Sequence, residues 1–385
     1  MDSVGIIGEY NPFHNGHLYH LKKVKKMYPN ACTVLVMTPN WNQRGNPSVI
    51  DKWAKKNIAL EAGIDLVVEM PYVFATESAD IYSDAAVTIL EKLKVKNFVF
   101  GSETNNIDLF KKIVDAQLNN EEFTPLVQIY LKMGENYPTA LSKSLLDLTN
   151  ENISAPNDLL GISYIKSIMK NNYKINPVCI KRKNNYHNEE IENIPSGTSI
   201  RKALEKNTDI KDYVPNYTYE KVKSTPLSFQ ENYFKFLKYK IMLEDNLDKY
   251  QTVDEGFGSK IKKEIINAVS WEDLINRVKT KRYTYNKINR MLTHILCDFT
   301  KEDKEKVKNL EYIRILGFSK KGREYINSIK KDIDIPLITN FQREKPKALE
   351  IEFKSTCVYA SIFNEEYKKE LIEKEYKNNP MKGEN

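Results

Sequence analysis

The chain has 385 residues, of which 41% are hydrophobic and 29% are charged, and its formal net charge is +7. This composition is typical of a globular protein with room for two cores, and no apolar run reaches the length of a membrane span. The four cysteines form no CxxC pair, which argues against a disulfide framework or a zinc site, while the mild basicity permits a polyanionic partner.

The first half of the chain alternates predicted strands with predicted helices. Met1 leads almost directly into the first strand, so no signal peptide is expected and the expected location is cytoplasmic. The predicted strands are Val4–Gly8, Thr33–Met37, Asp65–Glu69, Phe98–Gly101 and Asn176–Lys181, and the predicted helices between them include Asn15–Met27, Ser48–Ala62 and Ser78–Leu93. This alternation predicts an α/β fold with a doubly wound parallel sheet, in which ligands bind at the carboxyl ends of the strands.

The composition changes near Tyr213, beyond which lysines and helical patterns dominate. We therefore predict a sheet domain over residues 1–212 and a mainly helical C-terminal domain over residues 213–385. Within the first domain, Asn157 or Asp158 is expected to cap a helix. Within the second, Leu337–Val358 is expected to hold one or two strands, and the charged tail after Glu366 is expected to fray.

The strongest motif is GEYNPFHNGH, residues 8–17, between the first strand and the first helix. His14 and His17 lie three positions apart on one face of the first helical turn, where free amides and the helix dipole favour a phosphate. Gly16 keeps the backbone accessible to a ligand. Zinc binding by His14, His17 and His20 is disfavoured because three histidines so close together do not converge easily. A pair of structural histidines is the other alternative.

A second motif, SGTSIRK at residues 196–202, begins another predicted helix. Hydroxyl groups, free amides, Arg201 and Lys202 occur within about one turn, which suits the binding of a departing pyrophosphate. By itself this segment is better explained as a capped helix with a basic, solvated face. Its combination with the first motif favours phosphate chemistry.

The first motif resembles the HIGH motif of the nucleotidyltransferase superfamily, and the second resembles the serine/threonine–arginine motif of its adenylyltransferases. Read together, several segments resemble the bacterial tRNA(Met) cytidine acetate ligases over nearly the whole chain. These segments are Glu9–His20, Met70–Thr76, Phe100–Glu103, Ala155–Gly161, Tyr186–His187 and Lys281–Thr284. The resemblance implies a HUP-like nucleotidyltransferase domain followed by a helical tRNA-binding domain.

The resemblance also implies a reaction: ATP and acetate give acetyl-adenylate and pyrophosphate, and the acetyl group moves to the wobble cytidine of elongator tRNA(Met), forming N4-acetylcytidine. ATP is then a co-substrate, Mg²⁺ is expected with it, and no metal site is expected in the protein. The implied catalytic residues are His14, His17, Ser199 and Arg201. The implied ATP-binding residues are Ile7, Gly8, Glu9, Tyr10, Asn11, Pro12, Phe13, His14, Asn15, Gly16, His17, Leu18, Tyr19, His20, Gly101, Asn157 and Arg182. No general base is obvious.

The segment 277–290 interleaves cations with tyrosines, a pattern suited to RNA phosphates and unpaired bases. Its predicted tRNA-binding residues are Lys279, Lys281, Arg282, Tyr283, Lys287 and Arg290. A solvated helix face is the alternative for this segment.

Three other functions share parts of this pattern. A small-molecule adenylyltransferase would have the same core but no need of the helical domain. A non-catalytic RNA-binding protein would have no need of an intact His14, His17 and Arg201. An acetyl-CoA-dependent acetyltransferase would have no need of a site for the α-phosphate. The sequence therefore favours the ATP-dependent ligase.

Overall fold

The computed structural model describes residues 1–151, 153, 155–182, 196–254, 256–341 and 345–381. Its strands are β1 (Ser3–Gly8), β2 (Cys32–Met37), β3 (Leu66–Glu69), β4 (Asn97–Ser102), β5 (Asn176–Lys181), β6 (Ile313–Phe318) and β7 (Leu337–Ile338). Within these ranges, no helix is both long enough and apolar enough to cross a membrane.

The helices before residue 213 follow the strand–helix alternation that the sequence predicts. They are α1 (Asn15–Met27), α2 (Lys52–Glu61), α3 (Tyr72–Ala75), α4 (Ala79–Lys92), α5 (Ile107–Asn119), α6 (Phe123–Lys132), α7 (Tyr137–Thr149), α8 (Pro156–Lys170) and α9 (Gly197–Glu205). The later helices are α10 (Asn216–Ser224), α11 (Phe234–Leu243), α12 (Phe257–Ile265), α13 (Trp271–Val278), α14 (Tyr285–Leu296), α15 (Lys301–Lys306), α16 (Lys320–Ile329), α17 (Lys347–Ala360) and α18 (Glu365–Lys377).

All seven strands form one sheet in the order β5-β4-β1-β2-β3-β6-β7. Strands β1 to β5 are parallel, and β6 pairs with β3 in the antiparallel direction. The chain moves from β1 to β2 on one side and to β4 on the other, so the carboxyl end of β1 is the switch point where such sheets bind ligands. The predicted α/β fold class, with its helical C-terminal part, is confirmed.

The C-terminal half contributes more to the sheet than its sequence suggests. Strand β6 is buried along most of its length despite containing Arg314, and it lies directly beside β3. The predicted strands within Leu337–Val358 are only partly correct, because β7 has two residues and α17 begins at Lys347. The predicted boundary at residue 212 stays a prediction, but the sheet itself includes strands from both sides of it.

In the described part of the charged tail, residues up to Lys377 form a packed helix and do not fray, which contradicts the sequence-based expectation. Helix α18 packs against the protein and buries Leu371 and Glu375. Glu375 belongs to a fully buried ionic cluster in which Lys52 lies 2.8 Å from Glu375 and 2.7 Å from Glu69. The other two members are Arg314 and Glu352. This cluster joins α2, β3, β6, α17 and α18, so the polar residues of the tail have buried partners that are distant in sequence.

Replacing Lys52 with methionine is expected to lower the free energy of unfolding by about 3–5 kcal/mol, because it leaves an excess of buried carboxylates. Chemical denaturation of both proteins would measure the change. The control is Lys368→Met on α18, whose ion pair with Glu365 is solvent-exposed and should contribute less than about 1 kcal/mol. Equal losses of unfolding free energy in the two variants would show that the buried cluster contributes no more to stability than a surface ion pair.

The segment 38–51, which connects β2 to α2, is almost entirely buried beneath the C-terminal helices. We call it the 38–51 loop. Its contacts to the C-terminal half include Trp41 Nε1 to Ser355 O (3.1 Å), Asn289 Nδ2 to Arg44 O (2.8 Å), Thr293 Oγ1 to Gly45 O (2.6 Å), Tyr359 Oη to Ser48 O (2.8 Å) and Ser228 N to Val49 O (2.9 Å). These hydrogen bonds attach the 38–51 loop, which follows the carboxyl end of β2, to α14 and α17.

Candidate active site

The first turn of α1 is built around two histidines that cap the helix. The backbone of His14 is extended, with φ −134° and ψ 174°, and its Nδ1 atom accepts a hydrogen bond from the Gly16 amide at 3.0 Å. In return, Nδ1 of His17 accepts a hydrogen bond from the His14 amide at 3.2 Å. This reciprocal arrangement satisfies two amides that the helix N-terminus would otherwise leave without partners.

These hydrogen bonds also determine which ring nitrogen carries the proton. Because each Nδ1 atom is an acceptor, the proton of each neutral ring is on Nε2. The two rings are stacked with their centroids 3.8 Å apart. The pair therefore offers two neighbouring Nε2–H donors, which suits the oxygens of a phosphate group.

Both histidines are neutral at physiological pH. Burial lowers the pKa of His14 to about 4, and the positive charges of Arg182 and Arg201 contribute to the same shift. Burial likewise lowers the pKa of His17 well below its usual value, with His14 and Arg182 adding to the effect. The pair therefore offers hydrogen-bond donors and not two positive charges.

The aromatic residues of the motif support His17. Tyr10 has a φ of 46° and is buried, and its ring centroid lies 4.8 Å from that of Phe13 and 4.9 Å from that of His17. The left-handed backbone at Tyr10 is an uncommon conformation for a residue with a side chain, and such conformations concentrate at functional sites. Tyr10 and Phe13 therefore orient His17 by packing.

The two asparagines of the motif bind neighbouring segments of the protein. Asn11 is buried, and its amide group accepts a hydrogen bond from the Val49 amide at 2.8 Å and donates to Pro47 O at 3.3 Å. The side chain of Asn15 donates to Asp212 O at 3.0 Å. Their side chains thus attach the motif to the 38–51 loop and to the segment after α9.

The second motif meets the first. The hydroxyl of Ser196 caps α9 by accepting a hydrogen bond from the Ser199 amide at 3.1 Å, as the sequence predicts. The guanidinium of Arg201 donates to Asn11 O at 2.9 Å and to Thr198 Oγ1 at 3.0 Å. A Cβ atom built on Gly197 would lie 3.8 Å from His14 Nε2. The N-termini of α1 and α9, which are distant in sequence, therefore lie side by side.

The carboxyl ends of β4 and β5 supply a third group of predicted residues. Arg182 follows β5, and its guanidinium donates to Asn157 Oδ1 at 3.4 Å, while the Asn157 amide donates to the Glu103 carboxylate. A Cβ atom on Gly101 would lie 3.1 Å from Arg182 Cγ, so the glycine leaves room for this arginine. The charge of Arg182 lowers the pKa of His14, which places it at the same site.

The expected cap of α8 is wrong, because the helix begins at Pro156 and Ala155 occupies the cap position without a side-chain hydrogen bond. Asp158 instead accepts hydrogen bonds from the Ser102 hydroxyl at 2.6 Å and from Thr104, so it holds the turn after β4. Asn157 is thereby free to face Glu103 and Arg182. Tyr186 and His187 lie outside the described residues.

The remaining predicted ATP-binding positions surround the histidines. Ile7 and Gly8 end β1, Pro12 is buried beside Asn11, and Leu18 and Tyr19 are half-buried on α1. Burial lowers the pKa of His20 to about 4, and its Nε2 atom has no hydrogen-bond partner among the described residues.

The predicted tRNA-binding segment divides into an exposed part and a packed part. Lys279, Lys281 and Arg282 are exposed between α13 and α14, and we call these residues the basic loop. Tyr283 packs against the ring of Phe257 with centroids 4.4 Å apart. Two further residues are more enclosed: Lys287 pairs with Asp254 at 2.7 Å, and Arg290 is half-buried.

Three residues at this site carry no clear signal in the sequence. Gln43 donates its backbone N–H to Glu9 Oε1 at 3.1 Å, and Lys55 Nζ donates to Thr38 O, Pro39 O and the Glu9 carbonyl oxygen at 2.7–3.2 Å. The Glu103 carboxylate accepts a hydrogen bond from the Asn157 side-chain amide. The sequence does not distinguish Lys55 from the other lysines of its helix, because the atoms that accept its hydrogen bonds belong to other segments of the chain.

The comparisons agree with this geometry. The family model described as HIGH Nucleotidyl Transferase matches residues 1–375, so fold, site and match together define the class as a HIGH nucleotidyl transferase. A tRNA(Met) cytidine acetate ligase of Geobacillus sp. (strain WCH70) is 39% identical, with 99% of this chain and 100% of the relative covered. The enzyme of the same description from Anoxybacillus flavithermus is 37% identical with the same coverage. The chain therefore belongs to the tRNA(Met) cytidine acetate ligase family, which confirms the resemblance noted in the sequence.

Solved structures give the same result for the fold. The crystal structure of Thermotoga maritima TmcAL in its apo form superimposes with a TM-score of 0.88 at 29% identity and covers 99% of both chains. A second structure of that protein, bound with alpha-thio ATP, superimposes with a TM-score of 0.86 and covers 98% of this chain and 97% of the other.

Proposed function

We propose that this protein is an ATP-dependent carbon–nitrogen ligase that activates acetate as acetyl-adenylate and acetylates the wobble cytidine of elongator tRNA(Met) to N4-acetylcytidine in the cytoplasm. The observation that carries the proposal is the meeting of the two helix N-termini, where Arg201 donates to Asn11 O at 2.9 Å beside two neutral histidines. This arrangement places hydrogen-bond donors for a phosphate group and a positive charge close together. Two relatives that match this chain over their full length are described as tRNA(Met) cytidine acetate ligases, and they support the same reaction.

In the first step, an acetate oxygen attacks the α-phosphorus of ATP and the bond to the β-phosphate breaks. The Nε2–H groups of His14 and His17 stabilise the charge that develops on the α-phosphate oxygens. Arg201 and the amides at the start of α9, with Ser199, hold the departing pyrophosphate, because a planar guanidinium and a helix N-terminus both favour phosphate oxygens. No step needs a positively charged histidine.

The nucleotide would lie along residues 7–20, with Gly101, Asn157 and Arg182 on its other side. The support for this position is the shared carboxyl edge of the sheet, since β4 lies beside β1 and β5 lies beside β4, and the charge of Arg182 lowers the pKa of His14. Mg²⁺ would accompany ATP. The described residues include no group of three or more histidine, cysteine or acidic side chains that could hold a metal ion, so the phosphates would be its main ligands, as is usual for Mg²⁺.

The tRNA would approach from the side of α14. The basic loop lies at the N-terminus of this helix, and Asn289, further along the same helix, donates to Arg44 O in the 38–51 loop at 2.8 Å. Asn289 is the fifth residue of α14, about 6 Å along the helix from its first residue, so the basic loop and the edge of the active site are near enough to contact one anticodon loop. We propose that Tyr283, Lys287 and Arg290 form the more enclosed part of this surface.

The direct test is to incubate the purified protein with ATP, radiolabelled acetate and bacterial tRNA. ATP-dependent label in one cytidine of tRNA(Met), with no requirement for acetyl-CoA, is the expected result. Failure to label tRNA, together with pyrophosphate release in the presence of a small phosphorylated metabolite, would instead support a small-molecule adenylyltransferase.

Removing the three charges of the basic loop together, by Lys279→Ala, Lys281→Ala and Arg282→Ala, is expected to weaken tRNA binding about tenfold at physiological salt. The slope of log affinity against log salt should fall in magnitude by about 2, because each contact with single-stranded phosphate contributes about 0.7. Filter binding over a range of salt concentrations would measure both quantities.

The matched control removes three exposed lysines that lie outside the segment 277–290, by Lys308→Ala, Lys330→Ala and Lys331→Ala. It has the same loss of net charge and should leave the salt slope within about 0.5 of the original. If both triple variants weakened binding equally, the basic loop would not be a specific contact.

A further inference from the structure

A half-buried carboxylate lies at the end of β1, directly before Tyr10. One oxygen of Glu9 accepts the Gln43 backbone N–H at 3.1 Å. The other forms no hydrogen bond and no ion pair with the part of the chain that the structure describes. Lys55 Nζ donates to the Glu9 carbonyl oxygen at 3.2 Å, which fixes the backbone at this position. Glu9 is thus held firmly while half of its carboxylate remains available.

The neighbouring carboxylates at this edge of the sheet are hydrogen-bonded or enclosed. Asp158 accepts hydrogen bonds from Ser102 and Thr104. Glu103 accepts one from Asn157, and its other oxygen has no partner but is buried. Asp51 accepts the amides of Trp53 and Ala54 at the start of α2, and Glu77 accepts a hydrogen bond from Gln251 at 2.8 Å. Within the described ranges, Glu9 is therefore the acidic side chain best placed to meet a substrate, because its unbonded oxygen is not enclosed in this way.

The surroundings of Glu9 connect it to the phosphate site and to an aromatic wall. Burial lowers the pKa of Arg201, and the charge of Glu9 opposes that shift, so the two groups lie within electrostatic range. Burial raises the pKa of Tyr164 on α8, and the same carboxylate contributes to that shift. Tyr82 on α4 shows a similar effect. Glu9 therefore lies between the cation of the second motif and two nearly buried tyrosines.

A carboxylate at this place is unfavourable for binding ATP, because it would repel the triphosphate. The second half of the proposed reaction, however, needs such a group. The exocyclic amine of cytosine is a weak nucleophile because its lone pair is delocalised into the ring, and it must lose a proton when the amide forms. Carboxylates are also the side chains that accept a hydrogen bond from cytosine N4. AMP leaves as an anion and needs no proton.

We infer that Glu9 binds the exocyclic amine of the target cytidine and serves as the general base of the acetyl-transfer step. The N4 lone pair attacks the carbonyl carbon of acetyl-adenylate and forms the C–N bond, the bond from that carbon to the phosphate oxygen of AMP breaks, and the N4 proton passes to the Glu9 carboxylate. This inference rests on the proposed function, since it requires both acetyl-adenylate and a cytidine acceptor.

The test separates the two half-reactions in the full-length protein carrying Glu9→Gln, which keeps the acceptor for Gln43 but cannot take a proton. Acetate-dependent ATP–pyrophosphate exchange measures activation and should fall by no more than about tenfold, the loss allowed for a residue in the segment along which the nucleotide is proposed to lie. Transfer of acetyl to tRNA in a single turnover should fall at least about 100-fold further than activation does, the usual size of a general-base contribution. Hydroxylamine, a strong nucleophile that needs no base, should form acetohydroxamate at a rate that falls only as much as activation.

The matched control is Glu311→Gln, because Glu311 is also half-buried and accepts one backbone amide, that of Ala348 at 2.8 Å, at the start of α17. This variant should retain both half-reactions. Losses of exchange and of transfer that are equal in Glu9→Gln would overturn the inference and leave Glu9 with a role in nucleotide or Mg²⁺ binding alone, and unchanged transfer would overturn it as well. Absence of acetate-dependent exchange in the unmodified protein would instead contradict the proposed function itself.

Discussion

Replacing His17 with alanine is expected to lower acetate-dependent ATP–pyrophosphate exchange by about 10²–10³-fold, the usual loss when one preorganised donor to a developing charge is removed. The expectation rests on the neutral state of the ring, whose Nδ1 atom accepts the His14 amide at 3.2 Å and whose proton is therefore on Nε2. Removing the ring also removes the stacking partner of His14. The KM for ATP should change much less than kcat, because the lost hydrogen bond is strongest in the transition state.

His17→Gln provides a matched variant, since glutamine keeps a side-chain donor of similar reach. It should recover part of the lost exchange rate, and thermal unfolding of both variants would show whether either is misfolded. An alanine variant that folds normally and exchanges pyrophosphate at the original rate would show that His17 takes no part in activation.

The histidine pair also predicts how stability depends on pH. The pKa of His14 is about 4 in the folded protein, below the ordinary value near 6.5 that applies when the chain is unfolded. The unfolded chain then binds more protons between these two values, so the free energy of unfolding should rise as pH increases from about 4 to 6.5 and level off above that range. Denaturation at several pH values should show a smaller rise in His14→Asn, which keeps a capping side chain but cannot titrate.

Arg201→Ala is expected to have an effect of similar size, about 10²–10³-fold on exchange. The guanidinium spans two acceptors, Asn11 O and Thr198 Oγ1, and so holds the two motifs together while presenting its charge to pyrophosphate. Arg201→Lys should recover little, because a single ammonium group cannot reproduce the planar fork. In the reverse direction, the KM for pyrophosphate should rise in both variants.

The neighbouring residue is the natural control. Lys202 follows Arg201 on α9 but is exposed, so Lys202→Ala should change exchange by less than about threefold. If the two alanine variants had equal rates, positive charge in general, and not the position of Arg201, would explain the requirement.

Local physical chemistry made the core of the site predictable. The start of α1 at Asn15, the cap at Ser196 and the strands of the parallel sheet all depend on residues within one turn or one strand, and the structure agrees with each. The errors concern partners far apart in the sequence. Glu375 in the charged tail pairs with Lys52, and Arg314 lies within a buried strand, so neither residue is surrounded by the water that its local sequence implies.

The roles inside the motif were similarly hidden. The sequence does not show that the Asn11 side chain binds the 38–51 loop, nor that Glu9 accepts a hydrogen bond from the Gln43 amide. A linear sequence shows which residues are near the motif, but only the fold shows which side chains already have partners.

The attachment of the 38–51 loop has a practical consequence for producing the protein in parts. Trp41 and Gly45 are buried against α17 and α14, so a fragment ending near residue 212 would expose this loop to solvent. Two fragments synthesised separately would have to associate before the 38–51 loop beside the active site was fully packed. Co-expressed halves of this chain would therefore make a conditional enzyme, active only where both fragments are present.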